Sequence, residues 1–370
     1  MRKNESGYVL VVVAALLVVL IGFTALATDI GLLYSARTQS QRAADAAALA
    51  GAYTFIVNPL APQPGTAANA AVRTAVGNTV MGQSIAPGEV SVNVDVDDQL
   101  VTVDIARSEQ AFFARIFNIA STNVGVRAMA EAGLSATVGR CVKPWFIPNT
   151  IAAPPGVGAC AACNNGQVLI DPAQPNRPSP YVLGNPALLG QPFTVKPKQG
   201  QGGGAIAPGQ YYLIEVLGSG ADPYREAIAQ CSPIQYQCFD SYPVEPGSKT
   251  GPTRQGVLDL IGDPPDKWVS IGQYDPAPDG PPYFDTSKSL VIAPIVDLCS
   301  VSGFCPGDDF PTGSGTSLTV VGFALIFLDG MQGNNVESHL VNVFGCGVGG
   351  PSTPPDEATS FSIPIRLVRQ

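Results

Sequence analysis

The sequence predicts an α+β protein hung from one membrane-spanning helix, and three observations predict it. Tyr8 to Thr28 holds 21 residues without a charge, which at helical rise covers a hydrocarbon core about 30 Å thick. Valines alternate on either side of an Asp-Asp-Gln turn between Val90 and Ile105, the pattern of an antiparallel hairpin. All eight cysteines lie at or beyond Cys141. The expected order is a short cytoplasmic end and spanning helix (1–28), a helical stalk continuous with it (29–52), a small membrane-proximal α+β module with an antiparallel sheet (53–139), and a Gly/Pro-rich, mainly β, disulfide-containing domain (140–370).

The apolar run competes with a secretory signal peptide, because Ala25-Leu26-Ala27 offers a small-x-small cleavage site behind the basic Arg2 and Lys3. Its length exceeds the roughly 7 to 15 residues of a signal core, and helix-forming sequence passes straight through the supposed cut. Retention as an anchor is the expectation. Arg2 and Lys3 sit directly against the membrane, whereas Arg37 and Arg42 lie further out on the other side, so the positive-inside rule places the N-terminus in the cytoplasm and everything after Thr28 outside it.

From Asp29 to Ala52 the chain holds no proline and is rich in Ala, Leu, Gln and Arg, so the helix is expected to continue to about Gly51. Leu32, Ala36, Ala43, Ala47 and Ala50 fall near one face at spacings of three, four and seven, while Arg37, Gln41, Arg42 and Asp45 point elsewhere. A narrow face of small residues suits close packing, either on the chain's own module or on a partner helix.

In the module, "TAANAAVRTAVGNTVM" reads as a helix, and the valine hairpin is followed by "AFFARIFNI", which sets Phe112, Phe113, Ile116 and Phe117 at helical spacing. These four are expected in the module's core. Val124, Val126 and Ala128 alternate as a third strand. Beyond Cys141, "YYLIEVLG", "SLVIAPIVDL", "SLTVVGFALIFLDG", "HLVNVFG" and "SFSIPIRLV" are short and β-rich, bounded by turn residues. The apolar core of the third is too short to span a membrane and runs into Asp329.

The cysteines are Cys141, Cys160, Cys163, Cys231, Cys238, Cys299, Cys305 and Cys346. An even number confined to the exported part fits an oxidising compartment, although eight cysteines permit 105 pairings. Short loops suggest Cys231 with Cys238, Cys299 with Cys305 and Cys160 with Cys163, and Cys141 with Cys346 would close the domain. Cys160-x-x-Cys163 as a zinc or thioredoxin-like pair is disfavoured: an Asn-Asn-Gly turn follows it, and the one histidine, His339, is far off in sequence.

Catalytic templates fail. There is no Gly-x-Ser-x-Gly elbow, and "GQGGGAIAPG" lacks the Lys-Ser/Thr and helix of a phosphate cradle. A net charge of −9 without a basic cluster disfavours nucleic-acid binding. No metal or other cofactor is implied. Carboxylate-only hydrolysis, through Asp259, Asp263 or Asp297 for instance, would mark a membrane-tethered extracytoplasmic hydrolase or surface-binding protein as the alternative class.

The N-terminal residues carry a family resemblance. An apolar segment running into Ala27, Asp29, Gly31 and Tyr34, then Arg37, Gln41 and "AADAAALAGA" from Ala43 to Ala52, resembles the start of TadG-like proteins of the Tad (Flp) pilus-assembly system. "CVKPWFIPN" from Cys141, "YREAIAQC" ending at Cys231, "EPGSKTGPTRQGV" from Glu245 and "VVGFALIFLDG" from Val320 resemble blocks carried downstream in related sequences. The resemblance implies a non-enzymatic envelope component, working with pilus subunits, Tad assembly proteins, the membrane or further copies of itself. Pilin-like relatives are cut by a prepilin peptidase after Gly with Glu at the fifth position; here Gly7 is followed at that position by Val12, and Glu5 lies on the wrong side, so an uncut anchor is expected. Some TadG-like proteins resemble von Willebrand factor A domains in their C-terminal halves. Asp285, Ser287 and Ser289 have the Asp-x-Ser-x-Ser spacing of that domain's cation site, but "DGPPYF" stands where a buried strand should precede it, so no such domain is expected.

Overall fold

The computed structural model describes residues 6–59, 63–133, 135–136, 138–139, 141–152, 166–170, 176, 178–179, 182, 189–196, 213–215, 218–231, 235–245, 247–297, 317–346 and 365–368. They form two compact units: one from Met1–Ala52, Gln63–Glu131 and Leu367–Gln370, the other from Tyr53–Pro62 and Ala132–Arg366. The class is α+β, with a long apolar N-terminal helix and mostly antiparallel sheets.

In the first unit, helix α1 (Ser6–Val57) runs for 52 residues without a break. Its apolar stretch is bare, with no part of the spanning window buried. Helix α2 (Pro64–Val76) opens on a proline, whose missing N–H costs nothing in a first turn, and buries Ala67, Ala70, Ala71 and Ala75. The valine hairpin forms as β1 (Val90–Asp95) and β2 (Leu100–Gln110), with Val92 opposite Val103 and Val94 opposite Val101. Strand β3 (Ser121–Ala132) pairs with β2 along its length, Gln110 opposite Ser121 at one end and Leu100 opposite Glu131 at the other. On the solvent side Arg127 and Asp104 face each other across this pair, the guanidinium donating twice to the carboxylate at 2.6 and 3.0 Å. On the inner side Val101, Val103, Ile105 and Ala130 are buried.

The reading of 112–117 as a core helix is overturned. Residues 111–120 form the loop between β2 and β3, closed by a hydrogen bond from the Ala111 amide to the Ala120 carbonyl. Within it Ala114–Phe117 makes one 3₁₀ turn, stopped by left-handed Asn118. Phe112 and Phe113 point outwards, 69% and 43% exposed. Helical spacing over so few residues does not distinguish a buried helix from a hairpin loop.

α1 also continues one and a half turns past Gly51, to Val57. Gly51 is a contact glycine rather than a cap. A Cβ there would stand 2.8 Å from Val101 Cγ1 and 3.2 Å from the Ala67 carbonyl oxygen, so only hydrogen fits between α1, α2 and the sheet.

The second unit is built on a mainly antiparallel sheet. Six of its seven strands are β4 (Ile147–Pro148), β5 (Pro192–Lys196), β6 (Ser241–Pro243), β7 (Leu290–Asp297), β8 (Ser317–Gln332) and β9 (Asn335–Cys346), and the seventh, Ser135–Ala136, runs parallel to the end of β9. Their order is β5-β9-β8-β7-β4, with β4 parallel to β7 and β6 paired to the start of β8. Strand β8 is covered on both faces: Ala324, Ile326 and Leu328 face one cluster, and Phe323, Leu325 and Phe327 face the other. That is why it reads as a continuous apolar run rather than an alternating one. Helices α3 (Ala221–Ala229) and α4 (Thr250–Ile261) contribute Tyr224, Ile228, Val257 and Ile261 to the first cluster. A Cβ at Gly256 would lie 2.8 Å from Ile228 Cβ, so α4 meets α3 at that glycine. Within this unit the last turn of α1 is also held, because Asn342 Nδ2 donates to the Ile56 carbonyl that the helix end leaves open.

Two disulfides join described cysteines, Cys141 to Cys231 and Cys238 to Cys346. Both long-range pairs replace sequence expectations: Cys231 does not take its near neighbour Cys238, and Cys141 does not close on Cys346. Cys231 follows the end of α3 and Cys238 the short strand Tyr236–Gln237, whereas Cys346 lies at the end of β9 close to the Val320 carbonyl. Cys160, Cys163, Cys299 and Cys305 lie outside the described residues.

Removing the Cys238–Cys346 pair by double substitution to Ala should destabilise the second unit by about 2 to 5 kcal/mol, as expected for a native disulfide. The urea midpoint of the full chain, compared with and without the pair, reads it. A pH effect comes from Lys143, whose ammonium is buried while donating to the carbonyls of Ile228 and Gln230 at the end of α3. Burial lowers it to about 8. Between about pH 8 and the free lysine value near 10.4 the unfolded chain therefore binds more protons, and stability should rise with pH across that window. Lys143→Met should reduce that slope in urea midpoints measured at about pH 8 and about pH 10, the remainder coming from Lys196, which burial also lowers to about 8.

Candidate functional site

The site the sequence points to is the part of α1 beyond Thr28, and the structure shows what its polar residues do. Asp29 is the first charge after the apolar run and is 6% exposed. Its carboxylate accepts hydrogen bonds from three consecutive amides of the 111–120 loop: Phe112 at 3.1 Å, Phe113 at 3.1 Å and Ala114 at 2.7 Å. Amides leading into a 3₁₀ turn have no partners of their own, so one carboxylate satisfies several at once.

Two further side chains tie the same helix to the same unit. Gln39 Oε1 accepts from the Met81 amide at 2.8 Å, and Gln41 Nε2 donates to the Arg127 carbonyl at 2.9 Å and to Asp45 Oδ1 at 2.8 Å. With Gly51 these contacts run down α1 as a ladder. The segment 29–52 is thus a spine lying along its module, not a bare rod. Asp29 and Gln41, both named above in the resemblance, act as clamps, and nothing in periodicity marks them. The signal available was positional: a lone acid ending an apolar helix must find donors or remain in water.

Of the five small-face residues, Ala36, Ala43 and Ala47 are buried within the first unit, while Leu32 and Ala50 are partly covered. The buried stripe is wider than that reading, adding Ser40, Ala44, Ala48 and Ala52. On the rest of the helix Ile30, Tyr34, Arg37 and Arg42 stay exposed.

In the second unit, three sequence blocks singled out above meet. Trp145 Nε1 donates to the Tyr224 hydroxyl at 2.8 Å, that hydroxyl lies 3.1 Å from Thr253 Oγ1, and Thr253 Oγ1 donates to the Lys249 carbonyl at 2.7 Å. Trp145, Tyr224 and Thr253 are all buried, and burial pushes the Tyr224 phenol up. Nearby, buried Glu245 pairs with Lys249 at 2.5 Å. The indole and hydroxyl groups satisfy one another, as a packing centre requires, while Glu245 Oε2 is buried without a hydrogen-bond partner among the described residues.

The remaining candidates are placed as follows. Ser287 Oγ donates to Asp266 Oδ2 at 2.5 Å, in a 3₁₀ turn that precedes β7, so the Asp285-x-Ser-x-Ser run enters a strand rather than leaving one. His339 stacks on Trp268 with ring centroids 4.6 Å apart, and its Nδ1 lies 2.9 Å from Asp329 Oδ2. Asp259 faces Arg225 at 3.4 Å on the surface. Among the described residues no group of three His, Cys, Asp or Glu is placed to hold a metal.

Asp29→Ala should free the three loop amides. The substitution removes their charged acceptor, so exchange of the Phe112, Phe113 and Ala114 amides should accelerate about tenfold or more. Hydrogen–deuterium exchange on the full chain in detergent measures it, with the β1–β2 hairpin as the internal reference. Gly51→Leu should cost about 1 to 3 kcal/mol by forcing α1 off Val101 and α2.

Residues 7–54 match the model of a family described as putative Flp pilus-assembly TadE/G-like. No curated protein and no solved structure matches the chain. The matched span holds the apolar run, the Asp29 and Gln41 clamps, and the alanine stripe that buries itself against the module. This membrane segment and the helix that extends it are therefore TadE/G-like, of the Flp pilus-assembly type.

Proposed function

We propose that the chain is a non-enzymatic, membrane-anchored component of a Tad/Flp-type pilus-assembly machine. In this reading its N-terminus is cytoplasmic, everything after Thr28 is extracytoplasmic, and that part is presented to pilus subunits or assembly proteins. The observation that carries the reading is the TadE/G-like match lying on one unbroken helix, bare across a membrane thickness and clamped to its own module directly afterwards. Arg2 and Lys3 before the apolar run support the orientation. The disulfides support an oxidising compartment for the second unit.

Because Ala36, Ala43 and Ala47 already pack within the chain's own unit, a partner reaching α1 would use the other face, where Tyr34, Arg37 and Arg42 are exposed. The test has two arms. Protease added to intact spheroplasts should digest the chain after Asp29. A photo-crosslinking residue at Arg37 should capture a pilin or another assembly protein in cells, and deletion of the gene should abolish Flp-type pili. Normal piliation in the deletion strain, with no crosslink at Arg37, rejects the proposal.

A further inference from the structure

The apolar surface of α1 does not end with the helix. It passes sideways onto the loop that Asp29 holds. Because the Phe112, Phe113 and Ala114 amides lie 2.7 to 3.1 Å from the Asp29 carboxylate, these residues sit at the level where the uncharged run stops, one residue beyond Thr28. Phe112 and Phe113 are exposed there, as is Ile119 on the same loop. The loop is not an open coil: Ala111 N–Ala120 O, Asn118 N–Arg115 O and Ile119 N–Ala114 O hydrogen bonds close it, and Arg115 Nη2 donates to Gln110 Oε1. Exposed aromatics on a shaped, tethered loop keep their position, as a strand-connecting coil would not.

On α1 itself Ile30 lies about 100° round from Asp29 and Tyr34 about 140°, and both are exposed, Tyr34 at 74%. Apolar and aromatic side chains thus stand on different sides of the helix at the membrane exit. Aromatic rings of this kind favour the boundary between headgroups and acyl chains.

We infer that the 111–120 loop is a second membrane contact: Phe112 and Phe113 enter the acyl–headgroup boundary of the leaflet that α1 leaves, with Ile119 at the same surface and the exposed Arg115 beside the lipid phosphates. Continuity with the bare spanning helix selects lipid as the occupant, since any protein covering these rings would have to displace the bilayer already surrounding residues 9–26. The contact fixes the first unit against the membrane plane, where a single helix alone would leave it free to swivel. It depends on α1 spanning the membrane, and not on a role in pilus assembly.

The test uses the full chain in vesicles of phosphatidylcholine and phosphatidylglycerol that carry a nitroxide label either shallow or deep on the acyl chain. Phe112→Trp supplies the probe, and Phe113→Trp an independent second one. The native chain, with Trp145 buried and Trp268 in the second unit, supplies the background. The added emission should be blue-shifted, quenched more by the shallow label than by the deep one, and unchanged when the protein is diluted in lipid. In the Phe112→Trp background, Asp29→Ala should weaken that quenching by releasing the loop. Phe23→Trp, inside the span, reports on α1 separately. Quenching at position 23 with none at 112 or 113 overturns the proposal while leaving the anchor intact. A blue shift that disappears on dilution overturns it in favour of a second copy covering the loop.

Discussion

A carboxylate at the end of a membrane-length helix is the constraint around which the first unit is organised. Asp29 cannot turn back into hydrocarbon, and helical geometry gives it no donors along α1, whose amides are already bonded. It finds them in three amides of a hairpin loop that are themselves short of acceptors. Where burial lowers the local dielectric, such charge-assisted bonds are stronger than their solvent-exposed equivalents. With one end of the module pinned, Gln39, Gln41 and Gly51 set the register of the rest. The alanine stripe follows as a consequence, since nothing larger would let α1 and α2 approach as Gly51 and Val101 require.

The second unit solves a different problem. Its long strands are apolar on both faces, and polar groups crossing the interior must be paired with one another. The chain Trp145–Tyr224–Thr253, the Lys143 ammonium on the last carbonyls of α3, and the Glu245–Lys249 pair do this in one neighbourhood. That explains why sequence blocks far apart in the chain carry conspicuous Trp, Tyr, Lys and Thr residues: they are parts of one buried network. The His339–Trp268 stack on the sheet's other face extends an aromatic layer through Phe327 and Phe284.

Much of this was legible in the sequence where a local period carries the information. The uncharged run, the alternating valines of β1 and β2, and the apolar β8 each declare themselves within one continuous stretch of chain. The TadE/G-like start was legible too, because its residues are consecutive on one helix. What stayed hidden was non-local or positional. Cysteine partners depend on which strand ends meet, and proximity in the chain misled for Cys231 and Cys238. Phe112 and Phe113 have the composition of a core, yet a residue's apolar character says only that it avoids water, not whether protein or lipid covers it. Asp29 looked like the first polar residue past a membrane, and only the loop arriving from 83 to 85 residues away reveals it as an acceptor.

The two disulfides enclose separate stretches of chain: the ring from Cys141 to Cys231 is complete before the ring from Cys238 to Cys346 begins. Rings that neither nest nor interleave impose no threading order. In the proposed topology, with the N-terminus held in the cytoplasm, the part after Thr28 would cross the membrane in sequence order, locking α3 to the segment around Lys143 while β8 and β9 are still on the ribosome side, and the second closure would then await Cys346, the last residue of β9. Four of the cysteines are thus paired in the sequence in which an oxidising compartment would receive them, so for these two bonds the proposed vectorial export would itself favour this connectivity.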